Sequence, residues 1–277
     1  MTVSQHHTDG PAAAMPRREG FVVASGLTKS FEQESGSRLM VLCDLNFTLH
    51  KGEFVTVIGP NGCGKSTMMQ VLAGLLPFDS GSVQVDGALP QDVPIGLIFQ
   101  NYRESLLPWY SAIDNIAFPL QVKGMSRKNR REQVRAFAAE LGMTVPFDRR
   151  PYQLSGGQQQ LISILRSVIA APRLLLMDEP FSSLDYRARR SMHQSLQQIF
   201  ARTGQTVLFV SHDVEEAILL ADRVLVLSAM PATVVREFPV GLPRPRTEEL
   251  VIEEEFLAIK RNIFDCFTEV LKKTEAS

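Results

Sequence analysis

At 277 residues the chain has room for a domain of about 200 residues plus an appendage, and too little for a tandem array of such domains. Its 29 Lys+Arg against 30 Asp+Glu leave a net charge of −1, so no global positive field holds it on a phosphate polymer or an anionic membrane, and nucleic acid is not an expected partner. The 44% hydrophobic content suits a sizeable core, yet no apolar stretch approaches the roughly 20 residues of a spanning helix.

From the N-terminus, residues 1–20 carry His6, His7, Pro11 and a short Ala12–Ala14 run. They lack the continuous apolar core of about 7 to 15 residues that a secretory signal requires, and a disordered tail is expected there. Cys43, Cys63 and Cys266 are isolated and odd in number, which indicates neither a disulfide framework nor a metal knuckle, and a reducing cytosol is the default.

Residues 21–50 and 83–87 read as outer antiparallel strands. The runs Glu53 to Ile58, Ile95 to Phe99, Leu174 to Met177 and Thr206 to Val210 are nearly unbroken apolar stretches, the pattern of strands buried on both faces. Between Gln100 and Ala171 helical periodicity takes over, with amphipathic helices over Arg127 to Leu141 and Gln158 to Ala170, so a helical subdomain interrupts an otherwise α/β order. Past Pro243 and Pro245, apolar residues from Ile252 through Phe256, Ile259, Ile263, Phe267 and Val270 form one helical stripe. It either packs on the core or makes a subunit contact.

Gly59-Pro60-Asn61-Gly62-Cys63-Gly64-Lys65-Ser66 satisfies G-x-x-x-x-G-K-[ST] between a strand and the apolar helix Thr67 to Leu76. Dense phosphate charge needs many N–H donors without obstructing side chains, and glycines at 59, 62 and 64 let the backbone curl into such a nest at a helix N-terminus. Lys65 adds a point charge for the β and γ phosphates, and Ser66 a hydroxyl for Mg²⁺. Cys63 reads as a small tolerated residue rather than a reactive thiol.

Further along, Leu174 to Met177 ends in Asp178-Glu179, two acids that need cationic or aqueous company. Asp178 can reach Mg²⁺ and Glu179 can polarise a water. Gln100 and His212 close two other strands, and in open α/β sheets such strand ends form the ligand crevice.

Leu154-Ser155-Gly156-Gly157-Gln158 opens a helix upstream of Asp178, a second bare, donor-rich anion site. Together with the phosphate loop, the Asp-Glu strand end, Ser183-Leu184-Asp185 and His212, in this order, it resembles the nucleotide-binding subunit of an ATP-binding cassette (ABC) transporter over about residues 20–240. The resemblance implies an α/β P-loop NTPase core with a mostly parallel sheet, an outer antiparallel β part and a helical subdomain at about 101–171, in an ATPase domain of 21–240 followed by a helical extension, 241–277. It also implies a head-to-tail homodimer, with each ATP between the phosphate loop of one subunit and the LSGGQ of the other.

By matching motif, residues 59–64 of the loop with Lys65, Ser66 and Thr67 bind phosphate, and Ser66, Gln100 and Asp178 hold Mg²⁺. Glu179 is the general base, Gln100 senses metal and lytic water, and His212 contacts the γ-phosphate. Ser155, Gly156, Gly157 and Gln158 meet the opposite nucleotide, Asp185 links the two sites, and Phe31, where tyrosine is more usual, stacks on adenine. Leu161 stands where the family commonly has arginine, which bears on coupling or turnover rather than ATP binding, while Arg166 matches a later family arginine.

Leu106-Leu107-Pro108-Trp109 is similar to the importer branch handling nitrate, sulfonates and taurine. The segment around it is where the family receives a helix from its membrane partner; Trp109 is either an exposed contact there or a buried anchor. The stretch after Val240 is too short for the regulatory β-domain of many sugar importers. The resemblance thus implies an ATP- and Mg²⁺-dependent subunit at the cytoplasmic face of the membrane, with permease partners and, indirectly, a solute-binding protein. The alternatives are a nucleic-acid-associated ATPase, expected to carry a long coiled coil or two cassettes, and a P-loop kinase, which needs no LSGGQ.

Overall fold

A computed structural model describes residues 20–275. The expected N-terminal tail falls outside these residues except for Gly20, which already opens the first strand. Strands β1 (Gly20–Glu32) and β2 (Arg38–His50) form a long antiparallel pair, and β3 (Phe54–Ile58) leads through the glycine-rich loop into helix α1 (Lys65–Leu72). Helix α1 stops short of the expected Leu76: Gly74 turns to φ +70°, and the N–H groups of Leu75 and Leu76 both bond back to Gln70 O, a glycine-assisted helix end.

Strand β4 (Ser80–Val85) completes a three-stranded sheet of order β2-β1-β4, and β5 (Ile95–Ile98) enters the main sheet. A run of helices follows: α2 (Tyr102–Ser105), α3 (Ala112–Ile116), α4 (Phe118–Val122), α5 (Arg127–Glu140) and α6 (Gly156–Ile169). The chain then alternates β6 (Leu174–Asp178), α7 (Tyr186–Thr203), β7 (Thr206–Val210), α8 (Val214–Leu220) and β8 (Arg223–Leu227), before β9 (Val234–Pro239) and the terminal helix α9 (Glu254–Glu275).

The main sheet has the order β5-β6-β7-β3-β8-β9, parallel except for the antiparallel edge strand β9. Residues alternate between its faces, as the two-residue period of a strand demands. Val55, Val57, Leu174, Leu176, Leu208, Val210, Leu225 and Leu227 join α1 and the antiparallel sheet in one core. Phe54, Ile58, Leu175, Met177, Val207, Phe209, Val224 and Val226 join the helices in the other. Both faces are covered, which explains why these strands read as apolar runs.

The terminal helix buries Phe256, Ile263, Cys266 and Val270 in the second core, so its stripe packs on the domain. Ile252 lies outside α9 in a 3₁₀ turn and is exposed, because Glu253 is extended and starts the helix afresh.

Candidate active site

The parallel strands β3, β6 and β7 all end at one edge of the sheet, and the polar residues just beyond them meet there. The loop after β3 wraps back on itself. Lys65, 6% exposed, donates from Nζ to Gly59 O at 2.9 Å and Pro60 O at 3.0 Å, leaving one ammonium donor open. Gly62 and Gly64 take φ +74° and +116°, and a Cβ at Gly64 would lie 2.8 Å from Val41 Cγ1. Only glycine therefore lets the loop turn under β2 into the start of α1. Cys63 is the loop residue that turns inward. Its side chain is buried in the core, burial pushes its thiol up despite the Lys65 charge, and its N–H bonds to Pro60 O at 3.3 Å.

At the end of β6, Asp178 lies beside the Ser66 hydroxyl. Burial pushes its pKa above the ordinary carboxylate value, the Ser66 hydroxyl pulls it down, the Glu179 charge pushes it up and the Lys65 charge pulls it down. The net direction is upward. A carboxylate held this way beside a hydroxyl is short of positive charge. Gln100 lines an open cleft of about 780 Å³ together with Asp178, Ser182 and Ser183. Hydroxyl, carboxylate and amide oxygens suit a hard cation such as Mg²⁺, which is usually completed by substrate phosphates.

Glu179 turns away from Asp178, with a left-handed φ of +43°. Its Oε2 lies 3.3 Å from His212 Nδ1, and its backbone N–H bonds to Val210 O at 3.1 Å. The Ser182 hydroxyl donates to Glu179 O at 3.0 Å, closing the turn from the far side. The left-handed conformation costs a non-glycine residue on the order of 1–3 kcal/mol and persists only where surrounding bonds hold it. Here they aim a carboxylate, 17% exposed, at the same edge as His212.

The LSGGQ segment lies elsewhere on the chain. Ser155 caps α6, with its Oγ accepting from Gln158 N at 3.3 Å while Gln158 Oε1 accepts from Ser155 N at 3.1 Å, a capping box. Ser155, Gly157 and Gln158 line a cleft of about 350 Å³ against Ala188, Ser191 and Ser195 of α7, and share it with none of the residues around Asp178. Asp185 caps α7, accepting from Ala188 N at 2.9 Å. Phe31 is half-exposed on β1 under Lys29, whose Nζ sits 5.3 Å from the ring centre. One chain therefore gathers the phosphate loop, Asp178, Glu179 and His212, and leaves Ser155 to Gln158 and Asp185 as separate helix starts.

Several residues outside the motifs shape the surroundings. Arg166 donates to Ser105 O at 2.7 Å and Ser105 Oγ at 2.9 Å, tying α6 to the segment after Gln100. Asn115, fully buried, accepts from Leu107 N at 2.8 Å and donates to Leu107 O, Tyr110 O and Ser111 O. That turn carries Trp109 outward, 66% exposed, so of its two readings the buried anchor is excluded. Leu161 is buried in the helical core. His193, Glu216 and Ser211 form a buried polar chain behind His212; nothing in the sequence pairs them, because α7 and α8 meet only through the fold.

Comparison with known proteins shows the family. A family model described as ABC transporter matches residues 42–182. A putative ATP-binding protein of Brucella abortus biovar 1 (strain 9-941) is 44% identical over 228 residues, 81% of this chain and 86% of the relative. The taurine import ATP-binding protein TauB of Escherichia coli O157:H7 is 40% identical over 206 residues, 74% of this chain and 80% of the relative. The solved dimeric structure of MJ0796, a bacterial ABC transporter cassette, superposes with a TM-score of 0.68 at 29% identity, covering 79% of this chain and 98% of that one, and so does a dimeric post-hydrolysis state of that cassette bound to ADP and Pi. With its phosphate loop, strand-end acids and P-loop NTPase fold, the chain belongs to the ABC transporter family as an ATP-binding, ATP-hydrolysing subunit.

Proposed function

We propose that the chain is the motor of an importer for a small nitrogen- or sulfur-containing solute such as nitrate, a sulfonate or taurine, acting as a homodimer at the cytoplasmic face of the membrane beneath permease subunits. The observation that carries the ATPase site is the convergence of Ser66, Asp178, Glu179 and His212 at one sheet edge. The importer branch rests on the similarity to a taurine import protein and on the exposed Trp109 in the segment that follows Gln100.

In this reading the N–H groups of residues 59–67 and Lys65 bind the phosphates, and Phe31 stacks on adenine. Ser66, Asp178 and Gln100 would hold Mg²⁺, which supplies charge neutralisation on the phosphate oxygens. Glu179 takes the proton of a water that attacks the γ-phosphorus while the bond to the ADP oxygen breaks, and His212 donates to the γ-phosphate. Ser155, Gly156, Gly157 and Gln158 of a second copy close over the same nucleotide, and Asp185 lies between the two sites. The separation of the two clefts on one chain supports this trans arrangement. The extension 241–277 braces the 21–240 domain through the buried face of α9.

Copurification tests the assignment. Recovery with an integral membrane permease whose presence raises ATP turnover supports the motor. Stoichiometric RNA or DNA, or a phosphorylated metabolite formed from ATP, overturns it. A Lys65→Ala variant with undiminished ATP affinity overturns the phosphate site.

A further inference from the structure

His193 belongs to none of the sequence motifs, yet it is buried at the junction of the loops that carry Glu179 and His212. It lies on the core side of α7, two turns beyond the Asp185 cap, with its Nε2 2.7 Å from Glu216 Oε1. The other Glu216 oxygen accepts the Ser211 hydroxyl. That hydroxyl oxygen accepts from Asp213 N at 3.0 Å, and Ser211 N donates to Val57 O at 3.1 Å. Asp213 in turn caps α8, its Oδ1 accepting from Glu215 N at 2.8 Å and Glu216 N at 3.2 Å.

Both neighbours of His212 are therefore tied down, while its own side chain is half-exposed and 3.3 Å from Glu179. On its other flank the His193 ring packs edge-on against Phe181, centroids 5.4 Å apart, two residues past Glu179. His193 Nδ1 is buried without a hydrogen-bond partner, so Glu216 is the group that orients the ring.

We propose that His193 is a positioning residue for ATP hydrolysis. Through Glu216 and Ser211 it fixes the 211–213 turn, and with it the approach of His212 to Glu179. It also joins this turn to α7, the helix that begins at Asp185. The proposal rests on the ATPase reading of the site. Glu216 is a buried carboxylate that needs its donors. Without the His193 N–H it loses one and swings, and the Ser211 hydroxyl loses its fixed acceptor. The turn then loosens by tenths of an ångström at the reacting edge, a displacement to which turnover is steeply sensitive.

The test compares His193→Leu, which fills the space without a donor, with His193→Gln, whose amide N–H can still reach Glu216. Mg²⁺-ATP hydrolysis is measured well below each melting temperature. H193L is expected to lower kcat about tenfold with KM within about twofold, and H193Q to restore kcat to within about twofold. In a His212→Ala background H193L should bring no further loss, since it acts through His212.

Wild-type kcat in folded H193L, no rescue by glutamine, or a full additional loss in the H212A background each overturns the proposal. Should H193L fail to fold, His193→Met is read by the same comparisons. Failure of the underlying reading shows separately, as a wild-type chain that releases no phosphate from ATP or a Glu179→Gln variant that turns over at the wild-type rate.

Discussion

The Ser66 hydroxyl, in the first turn of α1, lies beside the Asp178 carboxylate at the end of β6 and favours its ionised form. Their proximity brings the phosphate loop and the second acidic motif together. Its cost falls on Asp178, whose ionised form is disfavoured by burial. A carboxylate raised in the folded state contributes its stability at pH below its unfolded value and loses it as pH rises. Asp178→Asn cannot ionise and keeps a carbonyl oxygen beside Ser66. The nucleotide-free variant should melt higher at neutral pH, and this gain should shrink as pH falls through the carboxylate range. Mg²⁺-dependent hydrolysis should be lost. A melting temperature at or below wild type at pH 7 would contradict the burial cost.

Gly64→Ala tests whether the loop's shape depends on backbone freedom. The position needs φ +116°, and the new Cβ would press on Val41 Cγ1 at 2.8 Å and Val41 O at 3.2 Å. Strain of about 1–3 kcal/mol is expected, with a lower melting temperature and at least about tenfold weaker ATP binding by calorimetry, since about 1.4 kcal/mol corresponds to tenfold. Gly62→Ala is the control: its φ of +74° is also left-handed, but nothing crowds its Cβ, so it should weaken binding less. Equal effects at the two positions would show that the close approach to β2 is unimportant.

The phosphate loop, Asp178-Glu179 and His212 are legible in the sequence because each follows an apolar strand buried on both faces, so strand ends mark the site. Strand β8 has the same buried apolar character, but no polar motif follows it to mark a strand end. The edge strand β9 hides behind Arg236, Glu237 and Pro239, since an edge needs little apolar surface. Trp109 is undecidable from composition, because its exposure comes from four hydrogen bonds made by Asn115. The pairing of His193 with Glu216 depends on how α7 packs on α8, which no local pattern encodes.

Glu179→Gln keeps the size and much of the hydrogen bonding of the side chain that faces His212 but removes its basicity. ATP binding should remain within about threefold, and phosphate release should fall by about 10²–10⁴, the usual contribution of a general base. Nucleotide-bound dimer should accumulate. Turnover within tenfold of wild type would move the base to another residue.

Ser155→Arg places a long cation at the exposed start of α6. The monomer loses a cap contribution of about 1 kcal/mol and should still bind ATP, because Ser155 lies in a cleft separate from Asp178. Light scattering with ATP in a hydrolysis-deficient background should then show monomer where the unmodified LSGGQ gives dimer. Ser155→Ala removes the same cap without the bulk and should still dimerise, at most weakened. Persistent dimer in the arginine variant would mean that this segment does not face the second copy.

Trp109→Ala separates partner docking from the chemistry of the site. The indole is 66% exposed and its turn is held by Asn115, so truncation should change stability by no more than about 0.5 kcal/mol. ATP turnover of the isolated chain should stay within about twofold. An exposed tryptophan that anchors an interface commonly contributes about 2 kcal/mol or more, equivalent to roughly thirtyfold in affinity. Copurification with the permease, and stimulation of ATP turnover by it, should fall accordingly. Unchanged permease recovery would remove Trp109 from the docking surface and leave the Gln100 cleft alone to receive the membrane partner, whereas a loss of basal turnover would show that the Leu107 to Tyr110 turn supports the catalytic edge itself.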